Sequence, residues 1–150
     1  MKYLHAMIRT TDLDASLQFY CDKLGFVELR RKEVEDRDIE EGRFTLVFLA
    51  SQQDAQLPEP RPEIELQFNH EANAGYAGGR NFGHLSFVVD NIYDTCQRLL
   101  DNGVTVNRPP KDGRMAFIVT PENITLELIQ SGEPLKPAEP WASMRNSGTW

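Results

Sequence analysis

The chain has 150 residues, which is enough for one domain with a buried core, and its 40% hydrophobic and 26% charged residues are typical of a folded globular protein. Its 16 basic and 23 acidic side chains give a net charge of −7, which argues against nucleic acid as the main partner because phosphate binding needs a basic surface. No apolar run approaches the roughly 20 residues that cross a bilayer, and no signal-peptide core is present, so we expect a cytoplasmic chain that does not insert into membranes.

The first half of the chain predicts one helix and four strands. Asp12 has the chemistry of an N-cap, and apolar residues follow it at helical spacing until Gly25 ends the helix. The charged run at residues 30–43 predicts a solvated hairpin, and residues 51–62, with three prolines, predict a loop. The expected strands of this half cover residues 2–9, 26–29, 44–49 and 64–68.

The second half predicts the same order of elements. A helix is expected between a cap at Asp90 or Asn91 and a glycine stop at Gly103. Cys21 and Cys96 fall in the two predicted helices, and we interpret both as small buried hydrophobic residues of a reduced protein. The expected strands of this half cover residues 82–89, 104–106, 115–119 and 124–129.

The two halves repeat in letters as well as in pattern. The segment HAMIRTTDLDASLQ begins at His5, and HLSFVVDNIYDTCQ begins at His84. Near the end of each half, I-E-L around Glu65 matches L-E-L around Glu127. Repetition of a whole supersecondary unit predicts an α+β fold of two βαβββ modules, each with a histidine on its first strand and a glutamate on its last.

These four residues predict a metal site. Side chains alternate across a strand, so His5 and Glu65 each lie on the polar face of a strand whose other face is apolar. Two imidazoles and two carboxylates meeting in a cavity would suit zinc, nickel, cobalt or ferrous iron. A single histidine or glutamate on a strand more often faces solvent, and it is the recurrence in both halves that favours ligation.

The residues resemble a known family. The segments 4–26, 64–69, 80–104 and 116–129 are similar to the glyoxalase I (lactoylglutathione lyase) family of the vicinal oxygen chelate superfamily, which includes glyoxalases, bleomycin-resistance proteins and dioxygenases. The resemblance implies a single domain over residues 1–130, made of modules 1–70 and 80–130, with residues 131–150 as a tail. The implied metal ligands are His5, Glu65, His84 and Glu127.

The resemblance also implies the partners of this site. Relatives without an N-terminal extension tend to prefer nickel or cobalt, so one such ion is expected in each site, with zinc as the alternative. Family members are homodimers whose sites lie between subunits. We therefore expect His5 and Glu65 from one chain to meet His84 and Glu127 from its partner.

The implied reaction converts the hemithioacetal of methylglyoxal and glutathione to S-lactoylglutathione through an enediolate. Proton transfer between adjacent carbons suits one carboxylate base, for which Glu127 is favoured, with Glu65 as its counterpart. Because glutathione is anionic, cationic and amide groups are expected to bind it. The expected substrate-binding residues are Arg9, Asn69, Arg80, Arg108 and Arg114.

Other functions on the same fold stay open. A thiol transferase or a dioxygenase would keep the metal and change the substrate, and Glu65 argues against both. A metal-free drug-binding protein would need no ligand quartet. The loop at residues 111–116 is shorter than the family's flap, which puts water exclusion and substrate choice in question. The tail, which holds Trp141 and Trp150, is expected to pack along the protein.

Overall fold

The computed structural model describes residues 1–35, 42–72, 75–79 and 81–149. The chain divides into two compact units, Met1–Ala77 and Gly78–Trp150. Each unit has a four-stranded sheet and runs in the order strand, helix, three strands. The predicted α+β fold of two βαβββ modules is therefore confirmed. Within the described ranges, no helix is long and apolar enough to cross a membrane.

The first unit orders its sheet β1-β4-β3-β2, with β1 parallel to β4 and the other neighbours antiparallel. The helix α1 continues as a turn of π-helix, and a short 3₁₀ turn, Asp54–Gln56, lies in the predicted loop. The bounds are β1 (His5–Thr10), α1 (Leu13–Leu17), the π-helical turn (Gln18–Lys23), β2 (Val27–Glu35), β3 (Arg43–Ala50) and β4 (Glu63–Asn69).

The ends of α1 follow from the predicted cap and stop. The Asp12 side chain accepts a hydrogen bond from the backbone N–H of Ala15 at 2.9 Å, which satisfies a donor that the first turn leaves free. Gly25 has φ +81°, a conformation that glycine adopts without a side-chain penalty. The chain then turns directly into β2.

The core of the first unit lies on the apolar face predicted by strand alternation. The fully buried members come from the two central strands of the sheet and from the π-helical turn, where Tyr20 is 0% exposed. Since one face is apolar, the register of each strand is fixed and the alternate residues must occupy the opposite face. The core strand residues are Ile8, Val47, Leu49, Ile64 and Leu66.

The second unit repeats this topology with the order β5-β8-β7-β6, and β5 is parallel to β8. Asn91 caps α2 by accepting hydrogen bonds from two backbone N–H groups, so it is the cap rather than Asp90. Gly103 follows α2 with φ +75°. The bounds are β5 (His84–Val89), α2 (Ile92–Asp101), β6 (Val106–Arg108), β7 (Met115–Val119) and β8 (Thr125–Gln130).

Several strand predictions were wrong in extent. The strands expected to begin at residues 2 and 82 begin at His5 and His84. The strand expected at residues 26–29 continues through the charged run as far as Glu35, because its pairing with β3 persists to the Glu35–Arg43 pair. The turn expected in that run includes residues 36–41, which lie outside the described residues. The strand expected at residues 104–106 begins at Val106 instead, and residues 104–105 precede it.

The C-terminal tail packs against the second unit. Trp141 is 4% exposed, and its ring stacks on Tyr93 of α2 with an interplanar angle of 6° and centroids 6.3 Å apart. The Tyr93 hydroxyl donates to the Lys136 carbonyl at 2.9 Å. Further along, the backbone N–H of Ser147 donates to the Asn107 carbonyl at 2.8 Å, while Trp150 lies outside the described residues.

Candidate metal centre

The first unit brings His5 and Glu65 together. The two residues lie on the parallel strands β1 and β4, where Glu65 is the register partner of Met7. The His5 Nε2 atom is 3.1 Å from Glu65 Oε2, and the side chains are 33% and 13% exposed. The strand pair thus presents one imidazole nitrogen and one carboxylate oxygen side by side, away from the apolar core. His5 and Glu65 form the first couple, and the equivalent pair of the second unit, His84 and Glu127, forms the second couple.

The second unit repeats the arrangement with His84 and Glu127. These residues lie on the parallel strands β5 and β8, where Glu127 is the register partner of Ser86. The His84 Nε2 atom is 3.1 Å from Glu127 Oε2, and the side chains are 43% and 12% exposed. The same two atoms at the same separation therefore occur once in each unit.

These donors fit a divalent cation. Each couple offers an imidazole nitrogen and a carboxylate oxygen, and two such couples would give the N₂O₂ set that nickel, cobalt or zinc accept. Among the described residues, no group of three or more histidine, cysteine, aspartate or glutamate side chains converges. Each unit by itself therefore offers one such couple, which is two of the four ligands predicted from the sequence.

An aromatic ring lies beside each histidine. The His5 and Phe48 rings meet edge to face with centroids 6.3 Å apart, and the His84 and Phe117 rings do so at 5.7 Å. Phe48 is the register partner of Glu65, and Phe117 is the register partner of Glu127. The repeat thus extends to the packing that orients the imidazoles.

An ion pair behind the first couple was not predicted from the sequence. Glu63 is 6% exposed and accepts two hydrogen bonds from the Arg30 guanidinium, at 2.8 and 2.7 Å. The hydrogen bonds and charge of Arg30 hold the pKa of the Glu63 carboxyl below its usual value, against the opposing effect of burial. Arg30 also stacks on Phe48, with its Cζ atom 3.8 Å from the ring centroid. Through Arg30, the pair therefore packs against Phe48, whose ring contacts His5.

The arginine of this pair has a structural counterpart in the second unit. Arg30 is the register partner of Phe48, just as Arg108 is the register partner of Phe117, and a register irregularity precedes each arginine. Arg30 lies inside the charged run, where its partner could not be identified from composition. Glu63 has Thr125 as its counterpart, so the buried pair belongs to the first unit alone.

The predicted substrate-binding residues Arg9 and Asn69 lie on the sheet face that carries His5 and Glu65. Arg9 is exposed on β1 with no ion pair to any residue in the described part of the chain. Asn69 ends β4 and is 8% exposed, and its side-chain oxygen accepts a hydrogen bond from the backbone N–H of Glu71 at 2.8 Å. Arg80 lies outside the described residues.

The predicted substrate-binding arginines of the second unit have internal partners. Arg108 donates to the Met115 carbonyl at 2.7 Å and to Asp112 at 3.0 Å. Burial tends to raise the pKa of the Asp112 carboxyl, but hydrogen bonds from the Arg114 and Met115 backbone and from Arg108 bring it below its usual value. Arg114 donates to the Gly132 carbonyl at 2.6 Å. Both guanidiniums thus hold the loop between β6 and β7, residues 109–114, which contains most of the short loop predicted at residues 111–116.

A hydroxyl beside the second couple was also missed. The Ser86 Oγ donates to Glu127 Oε2 at 2.9 Å, and that oxygen is the one that faces His84. The signal was available, because Ser86 lies two residues after His84 and therefore on the same face of β5.

The third histidine, His70, contacts neither His5 nor Glu65 among its described partners. His70 follows β4, and its Nε2 is 2.8 Å from the Thr45 hydroxyl and 3.6 Å from a Glu33 oxygen. Its ring meets that of Phe68 at 5.0 Å between centroids. These contacts give His70 a structural role at the end of β4.

The cysteines have the surroundings of structural thiols. Cys96 is 0% exposed, and burial raises the pKa of its thiol to about 12. Burial also raises the pKa of the half-buried Cys21 thiol, and the neighbouring charges of Glu28 and Asp22 add to the effect. A raised pKa suppresses the thiolate, so neither cysteine is set up as a nucleophile or metal ligand.

A family model matches residues 2–128 of the chain. Its description is the Glyoxalase/Bleomycin resistance protein/Dioxygenase superfamily. The match spans both units.

Individual relatives are similar over most of the chain. A probable lactoylglutathione lyase of Synechocystis sp. is 40% identical over 136 residues, covering 87% of this chain and 96% of that protein. The lactoylglutathione lyase of Haemophilus influenzae is 36% identical over 136 residues, covering 87% and 93%. Among solved structures, a glyoxalase I of Leishmania major, described as trypanothione-dependent, superposes with a TM-score of 0.70 at 29% identity, covering 87% of this chain and 86% of that one.

Proposed function

The chain belongs to the Glyoxalase/Bleomycin resistance protein/Dioxygenase superfamily, and we propose that it is a lactoylglutathione lyase that detoxifies methylglyoxal. Its substrate is the hemithioacetal of methylglyoxal and glutathione, and its product is S-lactoylglutathione. The observation that carries this proposal is the same imidazole–carboxylate couple, at 3.1 Å, in each unit of the chain.

His5, Glu65, His84 and Glu127 would hold one divalent metal ion. All three of nickel, cobalt and zinc accept imidazole and carboxylate ligands. The family resemblance favours nickel or cobalt, and zinc is the alternative. The ion supplies Lewis-acid stabilisation of the negative charge that develops when a proton leaves the carbon next to a carbonyl.

The glutamates move the proton. Glu127 takes the proton from the first carbon of the hemithioacetal and returns it to the adjacent carbon, which converts the enediolate to the thioester without net oxidation. Glu65 is its counterpart in the first unit. Their low exposure, 12% and 13%, keeps these carboxylates largely out of bulk water, where a captured proton would exchange.

Arginine and asparagine side chains on the polar faces of the sheets bind the anionic glutathione part of the substrate. Arg9 is exposed and unpaired among the described residues, so its guanidinium can grip the glutamyl carboxylate in a bidentate manner. Asn69 and Arg80 are further candidates for binding glutathione. Arg108 and Arg114 would contribute only by exchanging part of their internal hydrogen bonds for the glycyl carboxylate.

The working protein is a homodimer in the cytoplasm. The support for a dimer is that each unit offers one imidazole–carboxylate couple, and that the family resemblance implies a ligand set completed by couples from two chains. In the proposed dimer, the first couple of one chain meets the second couple of its partner. The units together form one domain over residues 1–130, with residues 131–150 as its tail.

The experiment is a metal-reconstitution assay. We expect purified protein stripped with a chelator to form no thioester from methylglyoxal and glutathione, followed by absorbance. Activity should return with one equivalent of Ni²⁺ or Co²⁺, and less with Zn²⁺. Glu127→Gln should lower kcat by about a hundredfold or more, because the proton acceptor is lost, whereas Glu133→Gln, on the exposed tail, should not change it.

The alternatives on this fold predict other results. A protein that binds drugs without metal would purify and function without a bound ion. A thiol transferase or dioxygenase would bind the ion and leave the hemithioacetal unchanged. Full thioester formation by the stripped protein would contradict the proposed mechanism.

A further inference from the structure

The two glutamates of the candidate centre have unequal surroundings. The Oε2 atom of Glu127 receives a hydrogen bond from the Ser86 hydroxyl at 2.9 Å, in addition to its contact with His84 Nε2 at 3.1 Å. Glu65 has its contact with His5 and no hydrogen bond to another group in the described part of the chain.

The difference arises at one position of the repeat. Ser86 is the register partner of Glu127, and Met7 is the register partner of Glu65. Both lie two residues after the histidine of their strand, on the face that presents it. A thioether is only a weak acceptor and donates nothing, so Met7 cannot give Glu65 the hydrogen bond that Glu127 receives.

We infer that Ser86 is a positioning residue that makes Glu127, rather than Glu65, the glutamate that carries the substrate proton; this inference rests on the proposed function. A hydroxyl both donates and accepts. It donates to Oε2 of Glu127, which leaves the other carboxylate oxygen, Oε1, to take the substrate proton and return it. The side chain therefore keeps one hydrogen-bonded position while the proton leaves the first carbon, resides on Glu127 and passes to the adjacent carbon.

The first test measures metal affinity without substrate. The variants are Ser86→Ala, which removes the hydroxyl, Ser86→Thr, which retains it, and Met7→Ala as the matched control in the other unit. With Ni²⁺ alone, in competition with a chromophoric chelator, Ser86→Ala should raise Kd about tenfold, the low end for a residue that orients a ligand. Ser86→Thr and Met7→Ala should stay within about threefold of the parent protein, a smaller change than loss of an orienting group causes.

The second test separates binding from proton transfer. With nickel-loaded protein, Ser86→Ala should lower kcat about tenfold, consistent with loss of a hydrogen bond to a charged group, and should leave KM nearly unchanged. The primary isotope effect with deuterium at the aldehyde carbon should increase, because proton abstraction then limits the rate more. Ser86→Thr should restore both values. Ser86 is exposed, so these variants should keep the thermal midpoint of the parent.

The outcomes separate this inference from the proposed function. If Ser86→Ala leaves Kd for Ni²⁺ and the isotope effect unchanged, or if Met7→Ala has the same effect as Ser86→Ala, the inference is wrong. If the parent protein forms no thioester at all, the proposed function fails, and the nickel arm still decides whether Ser86 orients Glu127.

Discussion

The Glu63 carboxylate lies two residues from a candidate ligand and needs a counterion because it is almost fully buried. Arg30 supplies that charge with two hydrogen bonds and reaches Glu63 by lying across the ring of Phe48. A buried carboxylate that loses such a partner retains the full cost of its desolvation. The ion pair is therefore a stabilising element of the first unit and a support for the ring beside His5.

Arg30→Gln should lower the free energy of unfolding by about 2 kcal/mol in urea titrations. This value is below that for breaking a fully buried pair, because the Arg30 side chain is 36% exposed and solvent can partly replace it. The neighbouring Arg31→Gln is the matched control. Arg31 pairs with Glu28, and both side chains are more than a third exposed, so its loss should cost no more than about 0.5 kcal/mol. Equal losses in the two variants would contradict this assignment.

Gly113 shows how closely the tail approaches the short loop. Its φ is +67°, and a Cβ atom placed there would lie 2.0 Å from the Leu135 carbonyl oxygen. Leu135 in turn donates its N–H to the Gly113 carbonyl at 3.0 Å. Any side chain at this position would therefore separate the tail from the loop.

Gly113→Ala should destabilise the protein by more than Gly132→Ala does. Gly132 has φ +68°, and a methyl group added there would meet no described atom within 4 Å, so its substitution should cost only the conformational penalty of about 1 kcal/mol. The clash at Gly113 should add about 2 kcal/mol or more. Urea unfolding of the two variants checks this, and equal stabilities would show that the tail is not held at Gly113.

At the scale of elements, the tail and the loop at residues 109–114 are joined by hydrogen bonds. Arg108 bonds to Asp112 within the loop, Arg114 bonds to the Gly132 carbonyl, and Leu135 of the tail donates its N–H to the Gly113 carbonyl. Trp141 continues the attachment onto α2. A loop anchored in this way lacks the freedom of a closing flap, which fits its reduced length.

Trp141→Ala should lower the free energy of unfolding by about 3 kcal/mol, because it removes a buried aromatic ring from the surface of α2. Deletion of residues 131–150 should have at least this effect. Arg145→Ala, at an exposed tail position, is the control and should change stability by less than about 0.5 kcal/mol. Chemical unfolding followed by circular dichroism gives the comparison, and a tail deletion as stable as the parent would contradict the packing.

Most elements could be predicted from sequence because their signals are local. Asp12 and Gly25 bound α1 by capping chemistry, and strand alternation separated the apolar core from the polar face. The extent of β2 could not be predicted, because charged residues continue the strand as long as β3 offers hydrogen bonds. Tertiary pairing decided that boundary, and local composition did not.

Of the candidate metal centre, only the residues that recur in both halves of the sequence could be predicted. The histidines and glutamates recur at matching positions, and the structure brings each histidine to 3.1 Å from its glutamate. Strand alternation places Ser86 on the face of His84, but its bond to Glu127, like that of Arg30 to Glu63, joins strands far apart in sequence and could not be predicted. Sequence similarity supplied the identity of the reaction, which no spacing of residues specifies.

At the scale of the whole molecule, the proposed dimer can be tested by mixing two inactive proteins. One carries His5→Ala and Glu65→Gln, and the other carries His84→Ala and Glu127→Gln. If sites combine couples from different chains, half of randomly reassembled dimers are mixed, and each of these has one intact site of two. Activity should return to about a quarter of the parent value.

The control for this experiment is either variant reassembled with itself, which should stay inactive. Reassembly can be followed by dilution from denaturant and by the molar mass of the product. Mixed samples that contain dimers of normal mass and no activity would show that the couples of one site come from the same chain.

The duplicated register of the parallel strand pairs has an evolutionary consequence. A chain half as long, with one such pair, would already hold an imidazole and a carboxylate at bonding distance, and an identical copy would complete the ligand set. In a joined chain the two halves need not be identical, so one half can place Met7 and the other Ser86 beside its glutamate.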